Sequence, residues 1–276
     1  MKEMKNEDIK KVALDILSDV HEFCIKNNIK YSLAYGTLIG AIRHQGFIPW
    51  DDDIDIIMPR EDYERFFLSY KSTKGYIAAS PSLNNSYLFF GRVYDTEKTW
   101  CKPWRPQGVE HNIGVWIDII PIDIVPSSRG EFDDKVKSLM KLYKLSHLKR
   151  ETMCSFHEIG FNHPKTILNL LIKKIKALRL NTIRIVREAD SLAKDIVTET
   201  GYMGCIVCPI YSKKEYLPTA VFSNYINIIF EGKIFKAVEN YDALLRNYYG
   251  DYMQLPPLEK RQYPHSVHKF YWKNSI

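Results

Sequence analysis

Trp50-Asp51-Asp52-Asp53-Ile54-Asp55-Ile56-Ile57 puts four carboxylates within five residues and then runs straight into aliphatic sequence. The isoleucines read as a buried strand. Alternate side chains of a strand share a face, so Asp51, Asp53 and Asp55 are expected to point one way, roughly 7 Å apart at each step. Carboxylates placed like this beside a core repel one another and carry a desolvation cost. A hard divalent cation, magnesium or manganese, relieves both, because oxygen ligands suit it. The competing reading is an acidic turn that caps a strand and faces water. Alternation of aspartate with isoleucine favours the strand.

Working outward, residues 6 to 26 carry Ile9, Val12, Ile16, Leu17, Val20 and Phe23 on one helical face. Lys30 to Tyr35 reads as a short strand, and Gly36-Thr37 turns the chain into a helix from Leu38 to His44. Gln45-Gly46 and Pro49 form a loop that leads to the acidic strand. Pro59 is expected to stop that strand before a helix from Arg60 to Tyr70. Strands follow at Tyr76 to Ser80, Leu88 to Tyr94 and Gly114 to Ile120, the last ending at Pro121. Trp100 to Pro106 reads as a proline-stiffened loop. Short strands alternating with helices argue an α/β fold, a mixed sheet with flanking helices.

After Pro126 the pattern changes. Residues 131 to 149 and roughly 165 to 200 read as helices, joined through Gly160 and Pro164. A hairpin is expected at Asn227 to Lys236 with Glu231-Gly232 at its turn, then a helix from Tyr241 to Tyr249. Pro256-Pro257 opens an irregular basic tail. The expected organisation is a catalytic core over residues 1–126, a helical insertion over 127–202, and a C-terminal hairpin, helix and tail over 203–276 that complete the same module.

The bulk numbers narrow the classes. The chain has 276 residues and 45% apolar content, ordinary for a globular protein. Its apolar runs fall short of the roughly 20 residues of a membrane-spanning helix. Met1 to Lys11 has no signal-peptide core, so a soluble cytoplasmic protein is expected. Five cysteines do not make a disulfide scaffold. A net charge of +6 suits an anionic substrate or an anionic membrane surface and is too small to argue nucleic acid by itself.

Several residues gather around the acidic strand. Gly36-Thr37 reads two ways, as a phosphate cradle at a helix start or as a glycine turn with a threonine cap. Gly114-Val115-Trp116-Ile117-Asp118-Ile119-Ile120 is a second apolar strand with one embedded carboxylate. It either brings Asp118 beside Asp53 and Asp55 or pairs Asp118 with a basic residue. Asp123, past Pro121, reads as a loop residue. Arg43 and His44 close the helix after the glycine turn, as phosphate ligands or as complements to a helix C-terminus. Arg92 either reaches the same anion or forms an ion pair. His265 either folds over a nucleotide or lies on the surface. Cys205-x-x-Cys208 has zinc-like spacing without a second tight pair, so buried thiols are the default. Phe161 to Arg187 holds seven Lys or Arg and no acid, with Leu168, Leu171, Ile172, Ile175, Leu178 and Val186 as an apolar face. That stretch is either a helix packed on the core or one lying on an anionic membrane.

A phosphate cradle followed by paired carboxylates suits phosphoryl transfer. The order turn, helix, acidic strand, later acidic strand resembles the nucleotidyltransferase fold. Tyr35-Gly36-Thr37-Leu38-Ile39-Gly40-Ala41-Ile42-Arg43-His44, leading on to Gly46-Phe47-Ile48-Pro49-Trp50-Asp51-Asp52-Asp53-Ile54-Asp55, resembles the LicD family of phosphocholine transferases. Trp116 to Pro121, Phe230 to Phe235, Tyr248 to Met253 and Leu255 to Arg261 are similar to further segments of that family.

The resemblance implies transfer of phosphocholine from CDP-choline to a sugar hydroxyl of a cell-surface glycan precursor, of teichoic acid or lipopolysaccharide type, lipid-linked or nascent, with CMP leaving. It implies Asp53 and Asp55 as holders of magnesium or manganese, Asp51 close by, and Asp118 as the third strand carboxylate, these being the catalytic set. The group that takes the hydroxyl proton stays open between a carboxylate and the cation-activated acceptor. Aromatic faces attract the quaternary ammonium of choline, which makes Trp50, Trp100, Trp104 and Trp116 candidate contacts. Alternatives keep the site and change the donor to a CDP-alditol, or change the class to a sugar-nucleotide glycosyltransferase or a non-catalytic binder.

Overall fold

The computed structural model describes residues 1–102, 113–152, 164–207, 213–261 and 268–273. A short strand β1 (Lys2–Glu3) leads into helix α1 (Asn6–Lys26), and β2 (Ser32–Leu33) into α2 (Tyr35–His44). Then come β3 (Asp55–Pro59), α3 (Arg60–Ser69), β4 (Ile77–Ala79), β5 (Gly91–Tyr94), β6 (Thr99–Lys102) and β7 (Trp116–Ile124). Helices α4 (Arg129–Thr152), α5 (Pro164–Ala177) and α6 (Thr182–Ala193) follow. The chain ends with β8 (Tyr202–Gly204), β9 (Leu217–Pro218), β10 (Tyr225–Phe230), β11 (Lys233–Val238), α7 (Tyr241–Tyr249) and β12 (Lys269–Trp272).

The main sheet is mixed, in the order β2-β3-β7-β5-β4, and β8 extends it from the far end of β7 to β9. β3 and β7 are parallel, and the other pairings of this sheet are antiparallel. Parallel central strands buried on both faces account for the unbroken aliphatic runs. The apolar stripe of α1 lies on the sheet, with Ile16, Leu17 and Val20 fully buried. Beside it on the same face is α3, where Phe23 of α1 meets Phe66 and Tyr70 edge to face.

The expected α/β character, the helix over residues 6–26, the hairpin and the helix over 241–249 are all present. Glu231 and Gly232 both have positive φ, +52° and +71°, as a two-residue hairpin turn of opposite hand requires.

Five expectations are corrected. The acidic stretch is not strand throughout: β3 begins at Asp55, where its ladder with β7 starts opposite Asp118. β7 does not end at Pro121 but runs on to Ile124. The Asp118 N–H points to β3, donating to Ile54 O, so by strand alternation the missing Pro121 N–H faces the β5 side. There β5 pairing has already stopped, at Ile119 opposite Gly91, and proline costs no ladder bond. Asp123 is therefore a buried strand residue rather than a loop residue. The helix expected over 165–200 is two helices, with Asn181 capping the second by accepting from the Arg184 N–H at 3.1 Å. The tail is not irregular to its end, since β12 inserts between β1 and β6 and puts Trp100 on a strand.

Candidate active site

Asp55 opens β3 and sits directly opposite Asp118 of β7 in the parallel register. Three backbone-level bonds fix this point. Asp118 N–H donates to Ile54 O at 2.9 Å, Ala34 N–H donates to Asp55 O at 3.0 Å, and Asp55 N–H donates to Thr37 Oγ1 at 2.9 Å. The Thr37 hydroxyl is thus an acceptor that ties α2 to the start of β3. The N-cap of α2 is Ala34, so Thr37 is not the helix cap.

A turn closed by Asp51 N–H to Ile48 O, at 2.9 Å, delivers the acidic residues. Asp51, Asp52 and Asp53 each place one carboxylate oxygen within 4.8 Å of the others, and all three are half-buried. The Asp55 carboxyl is pushed well above the ordinary carboxylate range. Burial is the largest cause, followed by the charges of Asp53, Asp118 and Asp51, while Arg92 opposes them.

The N-terminus of α2 faces this cluster. A Cβ on Gly36 would overlap Asp51 Oδ2, so the close approach of helix and acid depends on glycine there. Tyr35, just before it, holds φ +46°, a left-handed conformation that costs a tyrosine about 1–3 kcal/mol. Its ring packs against Tyr248 at 5.5 Å between centroids. Behind it lies Glu215, fully buried, accepting from Tyr248 OH at 2.6 Å and from Cys205 N–H at 2.9 Å. Burial raises the Glu215 carboxyl to about 8.

Arg92 of β5 reaches Asp118 across the adjoining strand. Its Nε donates to Asp118 Oδ1, and its Nη2 to Oδ2 at 3.2 Å. The same guanidinium lies over the Trp116 ring, 4.4 Å from the centroid. Arg43 Nη1 donates to Tyr252 O at 2.6 Å, and its Nε to His44 Nε2 at 3.0 Å. Burial, then the neighbouring Arg261, lowers the Arg43 pKa; burial, then Arg43, lowers that of His44. Arg261 stands over Trp50, 5.1 Å from the ring centroid, with His44 at the ring edge.

The structure therefore brings Asp51, Asp53, Asp55, Asp118, Gly36, Thr37 and Arg92 together at one end of the β3–β7 pair. Arg43 and His44 lie at the far end of α2, beside Trp50. Trp100 stacks near Tyr271 in the β1-β12-β6 sheet, at 5.6 Å. Trp104, His265 and Cys208 lie outside the described residues. Cys205 is a buried thiol.

Four features escaped the sequence reading. Asp52 belongs to the oxygen cluster because the chain after the Ile48–Asp51 turn is irregular there, not a strand. Arg261 sits on Trp50 through a contact 211 positions away along the chain, marked in sequence only by its place in a LicD-like segment. Glu215, in Lys213-Lys214-Glu215-Tyr216, looks like a charged surface. Asp123 accepts from Arg60 Nε at 2.6 Å, and the same arginine reaches Asp190 at 2.7 Å. Only the asparagine at position 181 hinted that a helix would carry Asp190 back to the sheet.

Residues 28–159 match the family described as LicD/FKTN/FKRP, nucleotidyltransferase domain. Over 276 residues, 98% of this chain and 99% of the relative, the sequence is 30% identical to lipopolysaccharide cholinephosphotransferase LicD of Haemophilus influenzae. Shorter matches reach an uncharacterized protein of Rickettsia typhi, 55% identical over 51 residues, which is 18% of this chain and 16% of that one. Another, of Rickettsia prowazekii, is 57% identical over 47 residues, 17% of this chain and 18% of that one.

Proposed function

Because this chain belongs to the LicD family, we propose that it transfers phosphocholine from CDP-choline to a sugar hydroxyl of a cell-surface glycan precursor, releasing CMP. The observation that carries this reading is the convergence of Asp51, Asp52 and Asp53 with the Asp55–Asp118 pair at the N-terminus of α2. The full-length likeness to an enzyme named for phosphocholine and lipopolysaccharide supports the choice of transferred group and of a glycan acceptor.

The residues fit a hard divalent cation. The donor set is all carboxylate oxygen, and the charges of Asp53, Asp118 and Asp51 raise the cost of ionising Asp55 until a cation joins them. When bound, magnesium or manganese would shield the charge of the donor diphosphate and align it for in-line attack. Asp53 and Asp55 are the proposed ligands, with Asp51 and Asp52 beside them. Asp118 is the third strand carboxylate, and Arg92 fixes its rotamer. Gly36 lets the α2 N-terminus approach the anionic group, where its dipole favours negative charge. Thr37 sets the distance between that helix and Asp55. The proton of the acceptor hydroxyl would pass to one of these carboxylates as the hydroxyl oxygen attacks the donor phosphorus and CMP leaves. Trp50 is the nearest indole to the cluster in sequence and is proposed to face the choline, with Arg261 moving off its ring as the quaternary ammonium arrives.

The test is a donor panel of CDP-choline, CDP-ribitol and UDP-sugars with magnesium, with and without lipopolysaccharide or teichoic acid acceptors, read as CMP or UDP released. CMP from CDP-choline alone is expected. CMP from CDP-ribitol would move the donor while keeping the site. UDP release, or no release with any donor, would overturn the reading.

A further inference from the structure

Helices α5 and α6 are both amphipathic in sequence, but they end differently. The apolar face of α6 is covered: Ile185, Val186, Ala189 and Ala193 are buried. That of α5 is open, with Leu168 59%, Leu171 43%, Ile172 42% and Ile175 67% exposed, and Leu178 just beyond it 73%. Leu168, Leu171, Ile172 and Ile175 stand at i, i+3, i+4 and i+7, one stripe about 100° wide. At 100° per residue Lys174 and Lys176 flank the stripe, one on each side. Ala177, on the opposite side of the helix, is buried, and its carbonyl accepts from Lys149 Nζ of α4 at 3.0 Å. The helix is therefore docked by its back and presents its apolar stripe outward.

Charge identifies the occupant. Residues 135–187 hold 13 Lys or Arg and two acids, whereas the whole chain has a net charge of only +6, so the remainder is net acidic. A segment this positive that also carries an open apolar stripe complements a surface that is negative and apolar beneath. A second copy of this chain would bring a like-charged segment against it. No helix among the described residues is long and apolar enough to cross a membrane, so the contact is one of lying on rather than spanning.

We infer that α5 docks the protein in the interface of an anionic phospholipid bilayer, with Leu168, Leu171, Ile172 and Ile175 entering the acyl boundary and the flanking lysines meeting headgroups. This does not rest on the donor or acceptor proposed above, and it is tested without either.

Full-length protein is floated with vesicles of equimolar phosphatidylglycerol and phosphatidylcholine, and separately with phosphatidylcholine alone. Flotation with the anionic vesicles only is expected, weakening from 0.1 to 1 M salt as the Debye length shrinks from about 10 to about 3 Å. The doubly substituted Leu171→Glu/Ile175→Glu protein, altered at exposed positions, should keep its circular dichroism and melting temperature and lose at least about tenfold in vesicle partitioning. A third protein, Ile175→Trp, should show a blue-shifted emission on anionic vesicles. No flotation at low salt, equal flotation of the double variant, or unshifted tryptophan emission in floated protein would each overturn the inference. So would concentration-dependent dimerisation that the double variant abolishes, which would assign the stripe to a second copy.

Discussion

At the C-terminal end of the β3–β7 pair, Asp123 and Asp190 share Arg60, while Lys194 bonds Asp190 and Glu64, each at 2.9 Å. At the N-terminal end, Asp55 lies among Asp51, Asp53 and Asp118, and Arg92 is the cation that counters them in its titration. Both ends bury acid against arginine. At the first, burial pushes the Asp123 carboxyl up, but the Arg60 charge and hydrogen bond oppose it, and Asp123 with Asp190 in turn hold the Arg60 pKa above its ordinary value. At the second, burial and the like charges of Asp53, Asp118 and Asp51 act together on Asp55 and push its carboxyl well above the ordinary range, with Arg92 opposing them. A fold that needed only cohesion would use the first arrangement twice. The second costs stability, which is the signature of a site arranged for a ligand rather than for the fold.

That contrast predicts opposite responses to neutralisation. Asp53→Asn and Asp55→Asn should each lower turnover by about a thousandfold, the rate equivalent of several kcal/mol of lost charge stabilisation, with melting temperature unchanged or raised. Steady-state CMP release and calorimetry on the same samples check this; retained activity in both variants would break the contrast. Asp123→Ala should do the reverse. It leaves the buried Arg60 short of its main partner, costing about 3–5 kcal/mol in urea unfolding, with kcat unchanged in the folded fraction.

Divalent cation should distinguish the ends again. Magnesium or manganese at 100 times its Kd should stabilise the wild type and Asp123→Ala by about 2.7 kcal/mol, and Asp53→Asn far less. Thr37→Val removes the acceptor of the Asp55 N–H and should cost about 1–3 kcal/mol, a local loosening that Thr37→Ser should not reproduce.

The smallest effect is on pH. Because the folded-state pKa of Asp55 is raised, the native state keeps this proton above pH 3.8, where the unfolded chain loses it. Stability contributed by this group therefore falls as pH rises, by at most about 1.4 kcal/mol per unit, until Asp55 has ionised. Subtracting the Asp55→Asn profile from the wild type should expose that slope, and saturating cation should flatten it.

Much of this was readable in the chain because local patterns decided it. The stripe of α1, the Glu231-Gly232 turn and the span of α7 depend on neighbours within a few residues, and they stand where periodicity and turn chemistry put them. The juxtaposition of Asp55 with Asp118 also followed from pattern, since two aliphatic strands with one acid each are natural neighbours in a sheet. The failures share a different cause, contacts between residues far apart in sequence. Whether Asp51 to Asp53 are strand or irregular chain depends on where pairing with the distant β7 begins, and it begins only at Asp55. Pro121 looks like a terminator unless β5 is known to have ended beside it. Asp123 looks exposed until α6 brings Asp190 to the same arginine. Trp50 and Trp116 look like open aromatic faces until Arg261 and Arg92 are found over them.

The most direct test of the central claim is anomalous diffraction from crystals soaked in manganese with CDP-choline. A peak within about 2.0–2.3 Å of carboxylate oxygens from Asp53 and Asp55, with the donor phosphates completing the shell, is the predicted result. Manganese bound elsewhere while the donor occupies the α2 N-terminus, or a donor seated there with no metal between it and these aspartates, would contradict it.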